Sequence, residues 1–69
     1  MASTRERADD IRASVLAALV GHTSLTLDAV RASVRTHVDR LGTAELSSAV
    51  FGLERDGRIL CDTAGLRLR

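Results

Sequence analysis

The chain has 69 residues, of which 45% are hydrophobic and 28% are charged, and its formal net charge is +1. A chain of this length and composition predicts one small globular domain over residues 1–69 rather than a disordered segment. The single cysteine excludes an internal disulfide, and the near-neutral charge is unlike that of a protein that coats nucleic acid.

The composition also predicts where the protein works. The first ten residues are polar and partly acidic, unlike a secretory signal, and no apolar run reaches membrane-spanning length. We therefore expect a cytoplasmic protein with no membrane partner. All ten basic residues are arginines. Arginine suits bidentate contacts with phosphate and guanine, but a GC-rich genome explains the bias better, because alanine is also abundant. The source predicted in this way is a high-GC bacterium or its phage.

A first helix is predicted over about residues 4–20. Ser3 and Glu6 form a capping box at its start, and Gly21 is suited to end it in a left-handed conformation. Apolar residues recur at helical spacing, namely Ala8, Ile11, Val15, Leu16 and Leu19. A second apolar set makes the stripe broader than one small core needs, and consists of Ala13, Ala17 and Val20. Part of helix 1 is therefore expected to face a partner, such as a second copy in a homodimer.

A second helix is predicted over about residues 27–40 and is closed by Gly42. Its apolar residues repeat at spacings of three and four, namely Leu27, Val30, Val34, Val38 and Leu41. Its outward face carries Arg31, Arg35, Asp39 and Arg40. In the polar link that precedes it, Leu25 and Thr26 can add a brief strand.

A third helix is predicted over about residues 44–55. Thr43 is expected to cap it, and Glu45 lies in the first turn, where the helix dipole favours a negative charge. The expected buried stripe consists of Leu46, Ala49, Val50 and Leu53. The residues left facing away from the core are Ser47, Ser48, Phe51, Gly52 and Arg55.

The end of the chain predicts a two-stranded hairpin over about residues 58–69. Asp56-Gly57 is a turn signal before the first strand. The polar stretch Asp62–Gly65 forms the expected tip, and the alternating Leu-Arg-Leu-Arg that follows is typical of a half-buried strand. The fold class predicted is therefore mainly α, with three helices followed by a small β-hairpin.

This order resembles the winged helix-turn-helix family, in which the hairpin is called the wing. The family pattern Leu-x-x-x-Val-x-x-Leu-Glu-x-Asp-Gly-x-Ile is filled by Leu46, Val50, Leu53, Glu54, Asp56, Gly57 and Ile59. The similarity extends from about Ile11 to Arg69. It implies the fold more specifically than the function, because winged helices include both regulators and modules that never touch DNA.

The resemblance implies a transcriptional regulator that binds double-stranded DNA with helix 3 in the major groove. The implied contacts on helix 3 are Thr43, Ala44, Ser47, Ser48, Phe51 and Arg55. Among them only Arg55 can make a bidentate contact with guanine. The implied phosphate contacts are Arg58, Arg67 and Arg69 on the wing and Arg31 and Arg35 on helix 2. A homodimer would give such a reader a larger footprint.

Phe51 and Gly52 depart from the family pattern, because DNA-binding members typically carry basic or amide residues there. Three interpretations of Phe51 follow: it completes the core on a rotated helix 3, it contacts a protein, or it contacts DNA. The second interpretation leads to a different function. In that case the chain is a winged-helix interaction module that binds a protein partner through Phe51, Gly52 and the alanine-rich face of helix 1, without binding DNA.

The sequence does not favour an enzyme. His22 and His37 lie on different predicted elements, no glycine-rich phosphate loop precedes a helix, and no carboxylate pair marks a pocket. Cys61 alternates with Ile59 and is expected to be buried and unreactive. We predict neither a cofactor nor a metal ion.

Overall fold

The computed structural model describes residues 4–69, with side chains described from residue 5 onward. Its elements are the helices α1 (Thr4–Leu19), α2 (Leu27–Arg35) and α3 (Thr43–Arg55), followed by the strands β1 (Ile59–Asp62) and β2 (Gly65–Leu68). The strands pair antiparallel as a hairpin. This order confirms the predicted fold class of three helices followed by a hairpin. The predicted cap at Ser3 lies outside the described residues.

Every element contributes to a single apolar core. The core consists of Ile11, Val15 and Leu19 of α1, Val30 and Val34 of α2, Leu46, Ala49 and Leu53 of α3, Ile59 of β1 and Leu66 of β2, together with Val38 from the turn between α2 and α3. The predicted helical stripes supply this core, except that Leu27 at the start of α2 is 39% exposed, and the half-buried members are Ala8, Leu16, Leu41 and Val50. A fully buried side chain of this size contributes roughly 1.5–3 kcal/mol before the entropy of ordering the chain is subtracted.

Helix α2 is shorter than the sequence predicts, because it ends at Arg35 rather than near residue 40. The hydroxyl of Thr36 donates a 2.6 Å hydrogen bond to the carbonyl of Ser33, and Arg40 takes a left-handed conformation with φ of 55°. A tight turn still carries Val38 into the core. Val38 therefore keeps the apolar spacing of a helix although it lies in a turn, and this explains why the predicted end of helix 2 was wrong.

The start of α3 also differs from the prediction. Gly42 is the N-cap and Thr43 is the first helical residue. The Glu45 carboxylate accepts a 3.1 Å hydrogen bond from the Gly42 N–H. Glu45 therefore does the capping that was assigned to Thr43, since an acidic side chain three positions into a helix can reach back to the cap.

The free edge of strand β2 pairs with the link between α1 and α2. The backbone of Leu25 exchanges two hydrogen bonds with Leu66, of 2.9 and 2.7 Å. The predicted brief strand is thus reduced to an isolated β-bridge at Leu25, because Thr26 caps α2 through its hydroxyl, which accepts from Ala29 N–H at 3.2 Å. The neighbouring Gly65 has φ of 131°, and a Cβ there would lie 2.4 Å from the Leu25 carbonyl oxygen. Only glycine fits this position.

Cys61 is exposed, so its predicted burial is wrong. Ile59 is buried, but β1 becomes progressively more exposed along its length. The alternation places Cys61 on the same side as Ile59, yet the hairpin extends beyond the core at that point.

Candidate nucleic-acid interface

One side of α3 is turned away from the core. We call it the outward face, and its exposed residues are Ala44, Ser47, Ser48, Phe51 and Arg55. The opposite side buries Leu46, Ala49 and Leu53. The Phe51 side chain is 65% exposed, so the interpretation in which Phe51 completes the core is wrong. The other two interpretations of Phe51 both require this exposure. Thr43 is exposed in the first turn of α3.

One carboxylate lies at the edge of the outward face. Glu45 is held by Arg7 of α1, but Glu54 is exposed and lies three residues after Phe51 and seven after Ser47, so it is beside them on the helix. The outward face therefore presents small residues, hydroxyls, one aromatic ring and the guanidinium of Arg55, with the Glu54 carboxylate next to them. Any affinity of this surface for a polyanion must come from its arginines.

The hairpin brings three arginines to one side. The Arg69 N–H donates a 3.1 Å hydrogen bond to the Arg58 carbonyl, and Arg67 pairs with Leu60. Because side chains alternate along a strand, Arg58, Arg67 and Arg69 share the side opposite to the buried Ile59 and Leu66. We call this the arginine side of the hairpin. Like charges placed across a ladder repel each other and weaken the pairing.

Only part of this charge is neutralised within the chain. The guanidinium of Arg67 lies 3.8 Å from the Asp62 carboxylate, whose other oxygen accepts a 2.9 Å hydrogen bond from the Ala64 N–H. Within residues 4–69, neither Arg58 nor Arg69 forms an ion pair. Both side chains are exposed, so they are available to an anion from outside.

The two arginines of α2 differ from each other. Arg35 is exposed, whereas Arg31 is half-buried and its Nε is buried without a hydrogen-bond partner among the described residues. Helix α2 packs on α1. No hydrogen bond or ion pair of the described residues joins these two arginines to α3 or to the hairpin. Arg35 is therefore the more accessible of the two predicted phosphate contacts.

Arg12 of α1 is a cation of this region that the sequence did not reveal. Its guanidinium lies against Gly52, where an added Cβ would be 2.9 Å from Nη2 and 3.4 Å from Cζ. Glycine costs about 1 kcal/mol relative to alanine inside a helix, and that cost was the available signal of a close approach. The sequence indicated that another group can approach Gly52 closely, but not that the group is Arg12.

A polar link from α1 fixes the N-terminal end of α3. Nη2 of Arg7 donates hydrogen bonds to the carbonyls of Asp39 (2.8 Å) and Arg40 (3.0 Å) and to the Glu45 carboxylate (3.1 Å). The hydrogen bond from Arg7 and that from the Gly42 N–H lower the pKa of Glu45 below its ordinary value, and the bond to Glu45 raises the pKa of Arg7. This link sets how α3 is presented.

The alanine-rich side of α1 lies away from Phe51. Ala13 and Ala17 line a shallow groove of about 400 Å³ together with His37 and Val38. Another groove, of about 320 Å³, runs between α1 and α3 and is bordered by Arg12 and Ser48. The structure therefore does not join the two halves of the predicted protein-binding surface. Val20, the third member of the predicted set, is 65% exposed at the end of α1.

The described residues hold no group of three or more His, Cys, Asp or Glu side chains that could bind a metal ion. Desolvation of the Cys61 thiol, with a hydrogen bond to Glu54 and the negative charge of Asp62, raises its pKa to about 11. In the described range, no helix has both the length and the apolar character needed to cross a bilayer.

No protein-family model, curated protein or solved structure matches this chain. We therefore infer its function from the side chains described above.

Proposed function

We propose that the protein is a small DNA-binding protein of the winged-helix kind that acts as a transcriptional regulator. In this proposal α3 docks in the major groove through its outward face, and the hairpin lies along the phosphate backbone. The observation that carries the proposal is the arginine side of the hairpin. Two of its three guanidinium groups form no ion pair within the described residues, and their mutual repulsion is a cost that binding to a polyanion would remove.

The dimensions and chemistry of α3 support this mode of docking. A helix of 13 residues is about 20 Å long, and the major groove, about 12 Å wide, admits one helix. Serine hydroxyls can donate to or accept from base edges, and a phenyl ring can pack on a thymine methyl. Arg55 is the residue best suited to select a base, since its fork can bond both acceptors of guanine.

The expected affinity of one copy is modest. Three phosphate contacts from the hairpin would give a salt slope of about −2.7, from −0.9 for each neutralised phosphate on duplex DNA. A dimer would double the number of contacts. We propose that α1 supplies the dimer contact, through the groove lined by Ala13 and Ala17.

The test is fluorescence anisotropy of a labelled random duplex titrated with the protein across a range of salt, with light scattering to measure mass. We expect micromolar binding that weakens steeply with salt. Arg69→Ala should weaken binding to all duplexes alike and flatten the slope by about 0.9. Arg55→Ala should instead relax sequence preference at a selected site. Equal and negligible effects of both substitutions would contradict the proposal.

A second function is favoured by one observation, the 65% exposure of the chain's only aromatic residue, Phe51. Exposed aromatic residues are enriched in the centres of protein interfaces. In this alternative the outward face binds a protein partner and does not bind DNA.

Phe51→Arg separates the two functions because it acts in opposite directions. An added cation on a face docked in DNA should strengthen binding to a random duplex. The same charge in an apolar protein contact should abolish the contact, since an unpaired buried charge is costly. Circular dichroism checks that the variant still folds. No duplex binding by the wild-type protein, even at low salt, would leave only the protein-binding alternative.

A further inference from the structure

The surface between α1 and α3 holds a guanidinium whose place the proposed DNA contact does not yet explain. Arg12 is exposed and, within the described part of the chain, forms neither a hydrogen bond nor an ion pair. Its guanidinium lies close to α3, because Nη2, Cζ and Nε are 2.9, 3.4 and 3.5 Å from the position that a Cβ of Gly52 would occupy.

Gly52 makes this position possible. Any side chain there would displace the guanidinium, since contacts under 3.0 Å are not tolerated. Glycine is otherwise unfavourable inside a helix. Arg12 and Gly52 together place a cation of α1 on the flank of α3. There the Arg12 side chain borders the same groove as Ser48 of the outward face.

We propose that Arg12 is a phosphate-binding residue of the DNA interface and that Gly52 positions it. This inference rests on the proposed function. The two walls of the major groove are phosphate backbones, so a cation on the flank of a docked helix faces a wall rather than the bases. Arg12 would thus add affinity without sequence preference, and it would complement Arg55, the only cation on the outward face itself.

The first experiment compares Arg12→Gln with the wild-type protein on a random duplex. Loss of one charge-assisted contact should weaken binding about tenfold at low salt and flatten the salt slope by about 0.9. Arg5→Gln is the matched control, because it removes the same charge from the same helix, about 10 Å toward its start. Equal losses in both variants would mean a general charge effect and would overturn the inference.

The second experiment tests the role of Gly52. Gly52→Ala keeps the charge of Arg12 but displaces it, so we expect binding to weaken roughly two- to tenfold, since the side chain must then be ordered on binding. Alanine favours the helix, so this variant is expected to fold. In an Arg12→Gln background the same change should have no effect on affinity, because the group that it displaces is gone.

The outcomes separate the two proposals. If the wild-type protein does not bind duplex DNA at low salt, the proposed function fails and this inference fails with it. If the wild-type protein binds with a clear salt slope while Arg12→Gln binds equally well, only the inference is overturned. It is likewise overturned if Gly52→Ala weakens binding as much without Arg12 as with it.

Discussion

Two glycines of this chain stand where an added Cβ would come within 3.0 Å of another part of the chain. At Gly52 the neighbour is the end of the Arg12 side chain, whereas at Gly65 it is the carbonyl of Leu25. The difference matters physically. A flexible guanidinium can move aside from an added methyl group, but a backbone carbonyl that is hydrogen-bonded to Leu66 cannot. Substitution of Gly65 should therefore affect stability, and substitution of Gly52 should affect the position of Arg12.

We predict that Gly65→Ala destabilises the protein by about 2–4 kcal/mol, through strain at a left-handed φ and loss of the Leu25–Leu66 hydrogen bonds. Chemical denaturation measures this change. Gly21→Ala is the control, because Gly21 also has positive φ (82°) but has no atom within 4 Å of an added Cβ. It should cost only the conformational strain, about 1–2 kcal/mol. Equal losses in the two variants would show that the close approach at Gly65 does not matter.

Cys61 is exposed, but its environment makes it a poor nucleophile. With a pKa of about 11, the thiol is protonated near neutral pH, and we expect slow alkylation by iodoacetamide. The rate should rise with pH up to that value while circular dichroism shows the protein to be folded. Glu54→Gln removes a negative acceptor and should shift the profile toward the ordinary value of 9.0. An unchanged profile in that variant would contradict the assignment of Glu54.

Among the elements, α3 is oriented by α1 through a polar contact at its start. Arg7 joins α1 to the turn before α3 and to Glu45 in its first turn. Since Arg12 contacts the same helix at Gly52, seven positions after Glu45, α1 touches α3 at both ends of the outward face. The face proposed to read DNA is therefore presented by α1 as much as by the turn that precedes α3.

We predict that Glu45→Gln lowers the melting temperature near neutral pH. The folded state lowers the pKa of Glu45 from 4.5, so the ionised form adds stability above that value, and this contribution is lost as the pH falls through the folded-state pKa. The difference between the variant and the wild-type protein should therefore shrink in acid. Asp9→Asn is the control, since Asp9 forms no ion pair within the described range. A difference that is constant with pH would contradict the prediction.

The hairpin carries a conflict between its own stability and its proposed role. Arg58 and Arg69 face each other across the ladder, so we predict that Arg58→Thr stabilises the fold by about 0.2–1 kcal/mol. The same variant should bind duplex DNA less tightly and with a flatter salt slope. Thermal melts and anisotropy on the same samples measure both effects. A variant that is less stable than the wild-type protein would refute the assumed repulsion.

At the scale of the whole molecule, the sequence predicted the layout because each buried stripe repeats at its own period. Ile11, Val15 and Leu19 recur as a helix requires, and Ile59 and Leu66 occupy the strands of the hairpin. The predicted end of α2 was wrong because Val38 keeps helical spacing even though it lies in a turn. The predicted cap of α3 at Thr43 was wrong because the side chain of Glu45 reaches Gly42 and makes a capping hydroxyl unnecessary.

The candidate site was only partly predictable, for a physical reason. Periodicity identifies which side of a helix faces the core, so the exposed residues of α3 and the arginines of the hairpin were found. Contacts between elements far apart in sequence depend on packing that periodicity does not describe. Arg12 on Gly52, Arg7 on Glu45 and the half-buried position of Arg31 all belong to this second group.

The exposure of Phe51 has a spectroscopic consequence. The chain contains one Phe and neither Trp nor Tyr, so every phenyl proton signal in its nuclear magnetic resonance spectrum comes from Phe51. A ring that is 65% exposed should flip freely and give narrow, averaged lines. Stacking on a base or burial in a protein contact would shift and broaden those lines. The molecule thus carries its own reporter of binding on the face that is proposed to bind DNA.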